Sequence, residues 1–137
     1  MLNRRLVAAF LFVACAAGFS TSALAAPAFG EIIVSDDRTA TESDDGFEKT
    51  TAKIFVLAEL KDAPSGTRVA SSWVAVNTNG VAPNNFVIDT AELTTTAGMN
   101  KITFNLSKPN AGWPLGSYRV DLSINGAKKG EVKFKVE

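Results

Sequence analysis

Trp113-Pro114-Leu115-Gly116-Ser117-Tyr118-Arg119-Val120-Asp121-Leu122-Ser123-Ile124-Asn125-Gly126 is the stretch that decides the fold. From Tyr118 to Ile124 apolar and polar residues alternate. Tyr118, Val120, Leu122 and Ile124 fall on one side, Arg119, Asp121 and Ser123 on the other. Side chains of a strand point to opposite faces in turn, so this pattern predicts a strand with one buried face. Asn125-Gly126 ends it, because both residues accept the positive φ of a tight type I′ turn. Glu131-Val132-Lys133-Phe134-Lys135-Val136 then alternates again, and the two runs read as a hairpin.

The same period extends back through the chain. Lys53 to Leu60 places Ile54, Val56, Ala58 and Leu60 on one face. Thr67 to Asn77 places Val69, Ser71, Trp73 and Ala75 on one face, and Ala70, Ser72, Val74 and Val76 on the other. Lys101 to Leu106 turns Ile102, Phe104 and Leu106 inward; Phe86-Val87-Ile88-Asp89 is a shorter run, and Phe29 to Val34 the least regular. Turn residues separate these runs at Pro64-Ser65-Gly66, between Asn77 and Asn85, and between Thr94 and Gly98. Seven strands, each with one apolar face, predict an all-β domain of two antiparallel sheets packed face to face.

The Trp113–Val120 segment, with the hairpin and final strand after it, resembles the end of an immunoglobulin-like sandwich domain of bacterial exported proteins. The spacing of Gly116 and Tyr118 is similar to the tyrosine corner of that fold, whose phenol bonds back to the backbone. Trp73 stands where such domains place a core tryptophan. The cysteine pair of antibody domains is missing. The resemblance implies an immunoglobulin-like sandwich and no single function, since this architecture hosts many.

The first residues have a different character. Arg4 and Arg5 precede an uncharged, mostly apolar stretch from Leu6 to Phe19, then Ser20-Thr21-Ser22 and Ala23-Leu24-Ala25. This is the layout of a secretory signal peptide, residues 1–25, with cleavage before Ala26. An uncleaved anchor is the rival, but the apolar core is shorter than the ~20 residues a spanning helix needs. Lipid attachment at Cys15 is a second rival, disfavoured by Phe12 where such signals carry an aliphatic residue. The paired arginines form an incomplete twin-arginine motif. The expected product is a periplasmic or secreted domain, residues 26–137, with no membrane span after cleavage.

Composition narrows the chemistry. The 14 Lys and Arg balance 14 Asp and Glu, which argues against a nucleic-acid partner. Loss of Arg4 and Arg5 leaves the mature domain at −2. The chain has no His, and its single Cys lies in the leader. Zinc sites and Cys/His nucleophile pairs are thereby excluded, and no cofactor is expected. Asp89 and Glu92 are near in sequence but read as outward or loop positions, so enzyme activity is not expected. The expected role is a non-catalytic binding or accessory module with a protein or glycan partner in the cell envelope. The alternatives are a structural subunit that joins an assembly by strand pairing, or a Ca²⁺-dependent enzyme using an acidic loop.

Three segments are candidate sites. Ser35 to Thr51 is long for a sandwich connection and carries Asp36, Asp37, Asp44 and Asp45. Clustered carboxylates suit a hard cation, but the spacing misses the Ca²⁺-loop pattern, and a solvated, flexible loop is the simpler expectation. Trp113 beside Pro114 could stack on a sugar or anchor a protein, or cap one end of the sandwich. Lys128, Lys129, Lys133 and Lys135 could meet an anion, but charge on an edge strand more simply discourages edge-to-edge pairing.

Overall fold

The structure, a computed structural model, describes residues 25–137. The expected signal peptide and Cys15 lie outside the described residues, apart from Ala25. Eight strands form: β1 (Ala28–Ser35), β2 (Gly46–Phe47), β3 (Lys53–Lys61), β4 (Arg68–Asn77), β5 (Phe86–Thr94), β6 (Lys101–Ser107), β7 (Gly116–Ile124) and β8 (Ala127–Val136). Among the described residues there is no helix. The small sheet has the order β1-β3-β6 and the large one β2-β8-β7-β4-β5.

The period-two pattern decides what lies between the sheets. Ile54, Val56, Ala58 and Leu60 of β3 are buried, as are Val69, Trp73 and Ala75 of β4 and Tyr118, Val120, Leu122 and Ile124 of β7. Trp73 packs edge-on to Phe134 of β8. Asn125 and Gly126 both take positive φ, 50° and 88°, and close the β7–β8 hairpin as a type I′ turn requires. Removing this apolar surface from water is the main stabilising term of a domain that has no disulfide.

Two expectations are corrected. Among the described residues the strands number eight rather than seven, because the segment Ser35–Thr51 contains β2. Phe47 is buried there, and Gly46 and Phe47 pair in parallel with Lys135 and Val136. The chain therefore leaves the small sheet after β1 and touches the large one before returning as β3. Two residues have no readable period, so only the burial of Phe47 among core aromatics explains the strand. The short run Phe86–Asp89 is also longer, reaching Thr94. As the outermost strand of the large sheet β5 is mostly exposed, and with little to bury its sequence shows no apolar face.

Candidate functional site

The residue before the tyrosine corner determines how one end of the sandwich is built. At Gly116 a Cβ would overlap the carbonyl oxygen of Asn77 and lie 2.8 Å from Thr78 Cα. Its φ of 152° is likewise one that other residues rarely adopt. This close approach brings the loop after β4 against the start of β7. Asn79 Nδ2 then donates to the Leu115 carbonyl at 3.2 Å. The Tyr118 hydroxyl donates to the Pro114 carbonyl, as the corner motif implies. Burial pushes the Tyr118 phenol up to about 12.

Trp113 is 1% exposed, and this corrects its candidacy as a surface anchor. Its indole N–H donates to the Thr51 carbonyl at 2.8 Å and its backbone N–H to the Lys49 carbonyl at 3.0 Å. Its ring meets Tyr118 edge-on with centroids 6.0 Å apart. Tyr118 in turn stacks on Phe134 at 5.0 Å. Trp113 therefore closes the core and ties the loop before β7 to the segment before β3.

The acidic segment is folded on itself. Asp44 Oδ2 accepts the Ser35 hydroxyl at 2.8 Å and the Asp36 N–H at 3.3 Å. Asp37 Oδ1 accepts the N–H and the hydroxyl of Thr39, each at 2.8 Å. Those bonds, the backbone one first, hold the Asp37 carboxyl below its ordinary range. Arg38 lies over the Phe55 ring at 5.9 Å, which seats the loop on the outer face of the small sheet. Asp36 and Asp45 are exposed. Asp44 and Asp37 are thus engaged by the loop itself, and among the described residues no group of three or more His, Cys, Asp or Glu is placed to hold a metal ion.

The lysines of β8 do not make a uniform stripe. Lys128 pairs with Glu131 at 2.7 Å and with Asp121 at 3.1 Å, while Arg119 pairs with Asp121 at 2.8 Å. Asp89 and Glu92 face opposite sides of β5, since they stand across from Trp73 and Ala70. They cannot work as a carboxylate pair on one substrate.

What the sequence did not single out is a set of exposed apolar side chains. Val81 is 70% exposed, Leu115 46%, Phe86 47% and Val87 51%. Val81 and Leu115 flank a shallow cleft of about 390 Å³ that also includes Lys49, Asn79, Ala111 and Pro114. Phe86 and Val87 begin β5 and stand on opposite faces of the large sheet, across from Ala75 and Val74, apart from that cleft's lining. Isolated apolar residues in loops carry no period, so only their convergence in space reveals them.

No protein-family model matches the chain, and no curated protein matches it significantly. A β-glucosidase from Kluyveromyces marxianus matches 78% of this chain and 14% of its own at 17% identity, with a TM-score of 0.46. A Niemann-Pick type C2 protein from the Japanese carpenter ant matches 93% and 100% at 18% identity, with a TM-score of 0.38. Neither likeness is strong enough to argue from. An immunoglobulin-like protein from Pseudomonas aeruginosa matches 84% of this chain and 99% of its own at 13% identity, with a TM-score of 0.53. At that distance the likeness speaks for fold alone, and it agrees with the paired sheets and the tyrosine corner: the described residues form an immunoglobulin-like sandwich.

Proposed function

We propose that this chain is a non-catalytic binding module, exported to the periplasm or the exterior, that grips a protein partner with the loop end around Val81 and Leu115. The observation that carries the reading is the convergence of exposed apolar side chains on that end. Apolar residues grouped at one place and rimmed by polar ones mark interaction surfaces, whereas scattered ones do not. The rim here is Lys49 and Asn79. Below the cleft, Trp113 and its bonds to Lys49 and Thr51 hold the loops in place, so little ordering is needed on binding. A protein partner suits this cleft better than a glycan, because its exposed groups are aliphatic and the tryptophan is buried.

The test is affinity capture from envelope extracts with the mature domain and with the double variant Val81→Asp, Leu115→Asp. Both positions are exposed, so the variant should melt within a few degrees of the parent. A partner held by the parent and lost by the variant supports the reading, and equal retention overturns it. Mass spectrometry of the exported protein should find Ala26 at its N-terminus.

A further inference from the structure

One sheet edge differs from the rest. The β1 ladder is interrupted between Phe29 and Ile32. The β5 ladder is interrupted beside Trp73, and this edge turns the charge of Asp89 to its inner side. The β8 edge carries Lys128, Lys129, Lys133 and Lys135, a register break, and β2 over its end. Bulges, inward charges, edge lysines and covering segments all discourage a further strand from adding. The β6 edge has one lysine, Lys101 at its start, but no bulge, no inward charge and no strand over its end. It pairs with β3 through seven consecutive residues without a shift. Its sequence, Lys101-Ile102-Thr103-Phe104-Asn105-Leu106-Ser107, has no proline and no inward charge.

The space beside β6 has a floor. Phe29 and Ile32 of β1 pack against Gly130 of β8, so β1 lies over β8. In the order of the two sheets, β3 then lies over β7 and β6 over β4. Among the described residues no strand of the small sheet is left to lie over β5. Its inner side holds Phe86, Asp89, Ala91 and Leu93, across from Ala75, Trp73, Ser71 and Val69, together with Ile88 at the bulge; Ile88 and Leu93 pack against the core. Those four partners on β4 are buried, whereas Phe86, Asp89 and Ala91 are exposed. β5 is thus a shelf one strand wide, below a strand edge with unpaired backbone groups.

The width of the shelf selects the occupant. A second copy pairing its own β6 there about a two-fold axis would drive its β4 into the place of β5. A single extended peptide meets no such obstacle. We propose that the notch between the β6 edge and the β5 shelf takes one extended segment of a partner protein, with alternating apolar residues and a lysine or arginine above Asp89. Backbone bonds to β6 would hold the segment, its apolar side chains would cover Phe86 and Leu93, and its cation would meet the acidic group on the shelf. This inference does not rest on the loop-end reading, and the residues that test it are different.

The probe is a capped heptapeptide that alternates valine and threonine, with lysine at one central valine position, added to the mature domain up to about a millimolar. Binding and amide hydrogen exchange are measured together. The expected result is saturable binding with slowed exchange at the β6 amides that do not bond to β3. Exchanging the peptide lysine for glutamate, or making Asp89→Lys, should weaken binding roughly fivefold. Pairing the glutamate peptide with Asp89→Lys should restore it. Ala91→Arg fills the shelf from an exposed position, so it should leave the melting temperature unchanged and weaken binding tenfold or more. No saturable binding, protection at another edge or at the loop end, or unaltered binding by Ala91→Arg would each overturn the proposal.

Discussion

The Tyr118 hydroxyl donates to the carbonyl of Pro114, four residues earlier in the chain, and burial holds the phenol neutral up to about 12. The bond fixes the turn that carries Leu115, so one core residue sets the position of an exposed one. Tyr118→Phe keeps the ring and its stacking on Phe134 but leaves the carbonyl without its donor. It should cost about 1 kcal/mol, and up to ~3 if no water reaches that carbonyl. Because the folded pKa is raised, the contribution is complete below the ordinary tyrosine value of about 10 and is lost as pH rises toward 12. Denaturant melts between pH 8 and roughly 12 should show a steeper alkaline decline in the parent than in Tyr118→Phe.

Gly116→Ala should be more harmful than its size suggests. The added methyl overlaps the Asn77 carbonyl, and the atoms it meets are all backbone of Asn77 and Thr78, which cannot turn aside as a side chain can. A cost of about 2–4 kcal/mol is expected, from overpacking and an unfavourable φ together. Gly80→Ala also has a positive φ but faces open space, and should cost only about 1 kcal/mol. Comparing their denaturation midpoints separates close approach from backbone conformation alone.

The buried faces were legible wherever a strand is covered on one side. The β3 and β7 patterns name their core residues because period two and one-sided burial coincide there. In β5 they do not, since no strand of the small sheet covers its inner side, and no alternation marks the run through Thr90, Ala91 and Glu92. The alternation places Val74 on the outer face, yet it is buried; it pairs with Val87 on that side, and the bulge beside it shifts the register. The acidic segment misled through composition, for charge and length suggest a mobile loop. Its hydroxyl–carboxylate bonds depend on Ser35 and Asp44, nine residues apart, meeting in space. The exposed cleft had no signal at all, because Val81 and Leu115 belong to loops that meet only after Gly116 has let the chain pass.

The acidic segment can be tested directly. Asp44→Ala removes the acceptor for the Ser35 hydroxyl and the Asp36 N–H and should cost about 1–2 kcal/mol. Trypsin should cut the variant after Arg38 several times faster than the parent. Cleavage after Lys49 should lag behind in both, because the Lys49 carbonyl accepts the Trp113 N–H. A chelator or added Ca²⁺ should leave the rates unchanged, and protection by Ca²⁺ would restore a cation site to this loop.

Asp121 should govern part of the acid response of the large sheet. Partial burial works against its charge, but the hydrogen bonds from Arg119 and Lys128, aided by their charges, hold its carboxyl below the ordinary range. A carboxyl with a lowered folded pKa contributes stability above its unfolded value of about 4, and that contribution is lost as pH falls through the folded one. Asp121→Asn should therefore cost roughly 1 kcal/mol near neutrality, the scale of a partly exposed ion pair. The gap should narrow below pH ~4 and close once the parent carboxyl is protonated. Lys128→Ala loses contacts to both Asp121 and Glu131, so it should be less harmful in the Asp121→Asn background than in the parent. Added salt should shrink the coupling, because the pairs face solvent. Denaturant melts of the four proteins at pH 7 and pH 3 decide the matter. A constant gap across that range would mean that the carboxylate charge is not what Arg119 and Lys128 recognise.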